Sequence, residues 1–148
     1  MPNKRSPLSL AVVLGLAALV PFAVGVYVAW TGTSLDARSA LRWLLPYLAT
    51  VVAFIGGVQW GRMLAQRSAA PLDMALAVTP ALIAWGALLT AAPWRGLLLL
   101  FALIAAWLID EHGARRGWQS RAFLQLRRVL TLVVTVCVGV IAWRVMRG

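Results

Sequence analysis

The chain has 148 residues, of which 62% are hydrophobic and 12% are charged, and its formal net charge is +10. The apolar residues lie in long continuous runs and are not spaced as in a soluble amphipathic helix, which predicts an integral membrane protein. The runs account for nearly the whole chain, so no soluble domain fits in what remains. Because the fourteen Lys and Arg residues lie at the ends of these runs, we expect them to set topology and contact anionic lipid headgroups, and we expect no binding of nucleic acid.

The apolar runs predict an all-α bundle of about five membrane-spanning helices in one multi-pass domain, residues 1–148. The first run follows Lys4 and Arg5, but it is too long for the apolar region of a signal peptide and lacks a cleavage site. We therefore expect it to remain as a helix bent at Pro21. The approximate spans are 8–30, 43–64, 74–92, 95–110 and 127–146.

The start of the second span and the length of the fourth span both need an argument. A short polar loop with Asp36, Arg38 and Arg42 is expected before the second span, so that Pro46 falls in that span's first turn. The span 95–110 is short enough to be a re-entrant segment instead. Asp110 and the neighbouring Trp107 would make a good interfacial end, which favours a complete span.

A basic amphipathic segment, residues 111–126, separates the last two spans and is expected to form a loop along an anionic inner leaflet. Its arginines, with the pair that follows it, are the predicted headgroup contacts: Arg115, Arg116, Arg121, Arg127 and Arg128.

Charge asymmetry favours an orientation with the N-terminus inside and the C-terminus outside, because nine Lys and Arg residues then lie on the inner side and five on the outer side. The inner nine are Lys4, Arg5, Arg62, Arg67, Arg115, Arg116, Arg121, Arg127 and Arg128. The outer five are Arg38, Arg42, Arg95, Arg144 and Arg147.

Small residues recur at every fourth position of the second span, at Ala49, Ala53, Gly57 and Gly61. Such a row lets a neighbouring backbone approach closely, which is how helices associate in lipid. Close packing within the monomer is the favoured interpretation, and a seam between two copies of the chain is the alternative.

Gln59 lies almost opposite this row and near the basic end of its span. The third span has Thr79 and Pro80 at a similar depth, and a proline frees a carbonyl one turn earlier. We therefore expect Gln59 to hydrogen-bond near Thr79 and Pro80 in a structural role, with contact to a ligand as the alternative.

The same inner end carries Arg62 and Asp110, which could form an ion pair or be solvated separately at the headgroups. His112 beside two acids is too little to specify a metal site. The candidate polar site therefore consists of Gln59, Trp60, Arg62, Thr79 and Asp110, with no metal.

Four pieces of the sequence resemble the transmembrane protein 69-like family, which is domain of unknown function 3429. They are LGLAALVPF at residues 14–22, YLATVVAFIGGVQWG at 47–61, TPALIAW at 79–85 and LQLRRVLT at 124–131. GGVQWG is the most specific of them. The resemblance implies a small multi-pass membrane protein and supplies no mechanism.

No grouping of residues typical of an enzyme is present, and no ionisable residue lies near the middle of a span. We therefore expect a non-enzymatic protein of a bacterial inner (cytoplasmic) membrane, without catalytic residues or a cofactor, that associates with another membrane protein as a subunit or assembly factor does. The alternative is a carrier of lipid or quinone, with a cavity between the second, third and fourth spans near Gln59, Trp60, Thr79 and Trp107.

Overall fold

The computed structural model describes residues 7–65 and 70–148, and these ranges consist of helices joined by short turns. Lys4, Arg5 and Arg67, which were expected on the inner side, lie outside the described residues. In chain order the helices are α1 (Pro7–Ala17), α2 (Val20–Thr31), α3 (Ser34–Ala65), α4 (Pro71–Leu88), α5 (Trp94–Arg115) and α6 (Arg121–Arg147).

Five helical stretches in the described ranges are long and apolar enough to cross a membrane. Large apolar side chains on them face outward: Phe54 is 71% exposed and Trp85 is 65% exposed. Such a surface would aggregate in water but is well solvated by hydrocarbon. The prediction of an all-helical, multi-pass membrane protein is confirmed. The stretches are Ser9–Thr31, Ser34–Ala65, Pro71–Leu88, Trp94–Arg115 and Arg121–Arg147.

The first stretch is interrupted between α1 and α2, close to the expected bend at Pro21. The N–H of Leu19 donates to the carbonyl of Leu16, three residues back, and helical hydrogen bonding resumes in α2. Pro21 lies in the first turn of α2, where a residue without an N–H removes no hydrogen bond from that helix.

Helix α3 begins earlier than expected, so the predicted polar loop with Asp36, Arg38 and Arg42 is wrong. Thr33 and Asp36 form a capping box, in which the carboxylate of Asp36 accepts the N–H of Thr33 at 2.7 Å and its hydroxyl at 2.8 Å. Helix α3 therefore starts at Ser34, and Pro46 lies inside it instead of in its first turn. Its 32 residues extend about 48 Å, longer than the hydrocarbon is thick.

The expected loop 111–126 is also mostly helical, because α5 continues to Arg115 and α6 starts at Arg121. Helix α5 ends in a Schellman motif: Gly117 has a φ of 77°, Trp118 donates its N–H to the carbonyl of Gly113 at 2.9 Å, and Gly117 donates to Ala114 at 3.0 Å. The 22 residues of α5 extend about 33 Å, which is long enough for a complete span.

The chain divides into two compact units, and the first combines Met1–Leu41 with Gln125–Gly148. In it the rings of Trp30 and Trp143 stack at a centroid distance of 6.1 Å. Gly15 lies against the side chain of Leu130, so the absence of a side chain at residue 15 brings α1 close to α6. Phe22 is fully buried in this unit.

The second unit, Arg42–Leu124, contains most of α3 with α4 and α5. Helices α4 and α5 pack along each other as a hairpin. The backbone of α3 meets that of α4 at Gly56, where an added methyl group would lie 2.8 Å from the carbonyl oxygen of Ala77. The single domain expected from the sequence stays a prediction.

We expect Gly56→Ala to lower the free energy of unfolding by about 1–3 kcal/mol, because the new methyl group would force two backbones apart. The adjacent Gly57 is the matched control, since none of the described neighbours would lie within 4 Å of a methyl group at that position. Gly57→Ala should leave stability unchanged or raise it by about 0.5–1 kcal/mol, as alanine favours a helix over glycine. Unfolding in detergent measures both, and equal effects at the two positions would contradict the packing described above.

Candidate functional site

The predicted row of small residues does not face the interior of the chain as expected. Ala49 is buried, but Ala53, Gly57 and Gly61 are exposed, and a methyl group on either glycine would meet no atom of the described residues within 4 Å. The buried row is offset by one residue, which turns the small residues about 100° away from it. Packing inside the monomer uses Gly56 instead. The buried row consists of Leu44, Leu48, Val52, Ile55, Gly56, Gln59 and Met63.

Gln59 lies on the buried face of α3, where only 3% of it is exposed. Its Nε2 donates a hydrogen bond of 2.7 Å to the carbonyl oxygen of Ala106 on α5. A helical carbonyl has a second lone pair, so it can accept this bond besides the one within its helix. The amide therefore fixes α3 against α5 at a place where hydrocarbon offers no other partner.

The expected hydrogen bond from Gln59 to the region of Thr79 and Pro80 is not formed. The hydroxyl of Thr79 is exposed and donates within its own helix to the carbonyl of Ala75 at 3.0 Å. Trp60, the neighbour of Gln59, is 45% exposed and points away from the buried face. Thr79 and Trp60 therefore do not join Gln59 in one site.

The other two members of the predicted polar site lie near the C-terminal ends of α3 and α5. The guanidinium of Arg62 lies over the ring of Phe123, with 3.9 Å from its carbon to the ring centroid. Asp110 is 1% exposed and accepts a hydrogen bond of 2.7 Å from Nε2 of Gln119. The ion pair of Arg62 with Asp110 stays a prediction.

A cavity of about 10 Å³ lies beside Gln59, Arg62 and Gln119. Its volume matches about one water molecule, so it holds neither a quinone ring nor a lipid chain. The lining residues are Gln59, Arg62, Met63, Ile109, Gly113, Trp118 and Gln119. Sequence reasoning missed Trp118 and Gln119, although Gly117, the second glycine of HGARRGW, signals the turn that brings them back onto α5.

A second polar group, also missed, forms around Asp73 at the start of α4. The carboxylate of Asp73 accepts the N–H of Ala70 at 3.2 Å, which caps the helix, and an Nη of Arg116 lies 2.7 Å from it. His112 has its Nε2 at 3.8 Å from the other carboxylate oxygen. The ion pair joins α4 to the end of α5.

The arginines expected to contact headgroups differ in accessibility. Arg115, Arg121 and Arg128 are exposed, whereas Arg116 is engaged by Asp73. Arg127 is only 8% exposed. Four of the five predicted residues, Arg116 among them, are therefore exposed, whereas burial makes Arg127 a poor headgroup contact, contrary to expectation.

A protein-family model matches most of the chain. The family described as "Protein of unknown function (DUF3429)" matches residues 8–143. The chain belongs to this family. The resemblance noted from the sequence is thereby confirmed. Comparison with curated proteins and with solved structures gives no match.

Membership of the DUF3429 family attaches no activity to the polar residues of this chain, so their roles follow from geometry alone. Among the residues first selected, Gln59, Arg62 and Asp110 lie at one end of the second unit. Gln59 and Asp110 are almost completely buried, and a role in holding helices together accounts for both.

We expect Gln59→Leu to lower the free energy of unfolding by about 1 kcal/mol, since it removes the bond to the Ala106 carbonyl and keeps an apolar side chain. Gln125→Leu on the exposed side of α6 is the matched control and should have almost no effect. Reversible unfolding in detergent measures the two changes. Equal stability of the Gln59 variant and the unsubstituted protein would show that the amide does not hold α3 on α5.

Proposed function

We propose that this DUF3429 protein is a non-enzymatic membrane protein that acts by associating with another membrane protein, as a small subunit or an assembly factor does. The observation that carries the proposal is the outward-facing row Ala53, Gly57 and Gly61 on α3. We call these three residues the α3 glycine face.

The glycines of the α3 glycine face destabilise their helix, and no contact with the described residues compensates for this loss. Glycine weakens a helix by about 0.5–1 kcal/mol relative to alanine, and neither Gly57 nor Gly61 gains a neighbour in return. A second helix could approach this face closely, because backbone contact and dispersion drive association in lipid. The side chains of Phe54 and Trp60, which are 71% and 45% exposed, would flank such a helix.

A lipid or quinone carrier is the second candidate, and the cavity beside Gln59 counts against it. Its volume of about 10 Å³ fits a single water molecule, far less than an isoprenoid or acyl chain. The expected members Trp60 and Thr79 face outward. The indole N–H of Trp107 donates to Glu111 at 3.1 Å, which gives it a structural partner.

The proposed setting is a bacterial inner membrane with the N-terminus inside and the C-terminus outside. Nine of the fourteen Lys and Arg residues then lie on the cytoplasmic side, as the positive-inside rule requires. The exposed Arg115, Arg121 and Arg128 would contact anionic headgroups there, each contributing about 1 kcal/mol near a charged surface.

Gly57→Leu tests the association, because this position has no contact within the described chain that a larger side chain would disturb. We expect the protein to copurify with a stoichiometric membrane-protein partner in native nanodiscs, and we expect the variant to lose that partner while keeping its own thermal stability. Mass spectrometry of the copurified material is the measurement.

Gly139→Leu is the matched control, as Gly139 is an exposed glycine on α6 with the same open surroundings. It should retain the partner. A partner retained by both variants would remove the α3 glycine face from the proposal. Recovery of the unsubstituted protein with no other protein, but with one lipid or quinone species, would favour the carrier.

Orientation can be tested with cysteines placed on opposite sides. In a Cys137→Ala background, we expect Ala91→Cys, in the turn before α5, to react with a membrane-impermeant maleimide in intact cells. Ser120→Cys, in the turn before α6, should react only after the cells are opened. Both residues are exposed. The reverse labelling pattern would place the N-terminus outside.

A further inference from the structure

Two glutamine amides line the cavity at the end of α5, and their surroundings fix which atom of each amide points where. Nε2 of Gln59 faces the carbonyl of Ala106 at 2.7 Å, and Nε2 of Gln119 faces the carboxylate of Asp110 at 2.7 Å. Reversing either amide would bring two acceptor oxygens together, which is repulsive. The two Oε1 atoms are therefore held as acceptors on the other side of each amide.

Both oxygens are buried and accept no hydrogen bond from the described residues. An unsatisfied buried amide oxygen costs about 1–3 kcal/mol, and two in one cavity double the cost. Only 3% of Gln59 is exposed. Gln59 and Gln119 line the same cavity of about 10 Å³. The space needs an occupant that donates hydrogen bonds and has about one heavy atom.

We propose that this cavity binds one ordered water molecule, which donates its two O–H groups to Oε1 of Gln59 and Oε1 of Gln119. Arg62 is also one of the lining residues, and its positive charge disfavours a cation in the cavity where a neutral water is accepted. The water connects α3 to the turn after α5, two segments that are far apart in the sequence. It completes a polar path from Ala106 through both amides to Asp110.

Water-selective nuclear Overhauser spectroscopy on protein labelled with ¹⁵N-glutamine, in detergent micelles or nanodiscs, tests the proposal. The side-chain amide protons of Gln59 and Gln119 should show cross-relaxation with a long-lived water. Those of Gln125, which is exposed on α6, should show only the signature of fast-moving solvent. Absence of the long-lived signal from both Gln59 and Gln119 overturns the proposal.

A variant then tests whether the water bridges the two amides. Gln119→Leu removes one acceptor and should abolish most of the water signal at Gln59, while Gln125→Leu should leave it unchanged. Retention of the full signal at Gln59 in Gln119→Leu would show that no molecule bridges the pair, and the proposal would fail. The amide spectrum of each variant reports whether the fold is intact, so loss of folding is distinguishable from loss of the water.

Discussion

The close approach of α3 and α4 at Gly56 is the contact on which the arrangement of the second unit depends. In hydrocarbon no hydrophobic force brings helices together, so close backbone contact has to supply dispersion and weak Cα–H···O interactions. A side chain as small as a methyl group would already meet the carbonyl of Ala77 at 2.8 Å. Gln59 follows three residues later on the same face of α3. The register set at Gly56 therefore points Gln59 inward, where it reaches Ala106.

The polar contacts near the C-terminal end of α5 follow from the same hydrocarbon surroundings. Lipid satisfies no backbone or side-chain polar group, so each one needs a partner within the protein. The Schellman turn at Gly117 returns the chain onto the end of α5 and brings Gln119 to Asp110. Asp73 combines two tasks, because its carboxylate caps α4 and also engages Arg116. The turn and the ion pair together hold the ends of α4 and α5.

The sequence was sufficient to predict five helical stretches, since runs of apolar residues reveal membrane spans directly. It was less informative about which face of a span is buried, because side chains that face lipid are as apolar as those that face protein. Adjacent glycines at 56 and 57 offered two possible contact faces, and periodicity favoured the row containing Gly57. The structure uses Gly56. The ends of helices were missed where capping was overlooked, at Thr33 with Asp36 and at Gly117.

The offset of one residue between the two rows on α3 separates the internal contacts of this helix from the proposed contact with a partner. The row with Gly56 and Gln59 is committed to α4 and α5, whereas the row with Gly57 and Gly61 is open. The rows are about 100° apart, so a helix could lie along the α3 glycine face without displacing α4 or the hydrogen bond to Ala106. Contact on the outer row would then leave the buried polar groups intact. Association and internal stability should accordingly respond to different substitutions within the same GGVQWG segment.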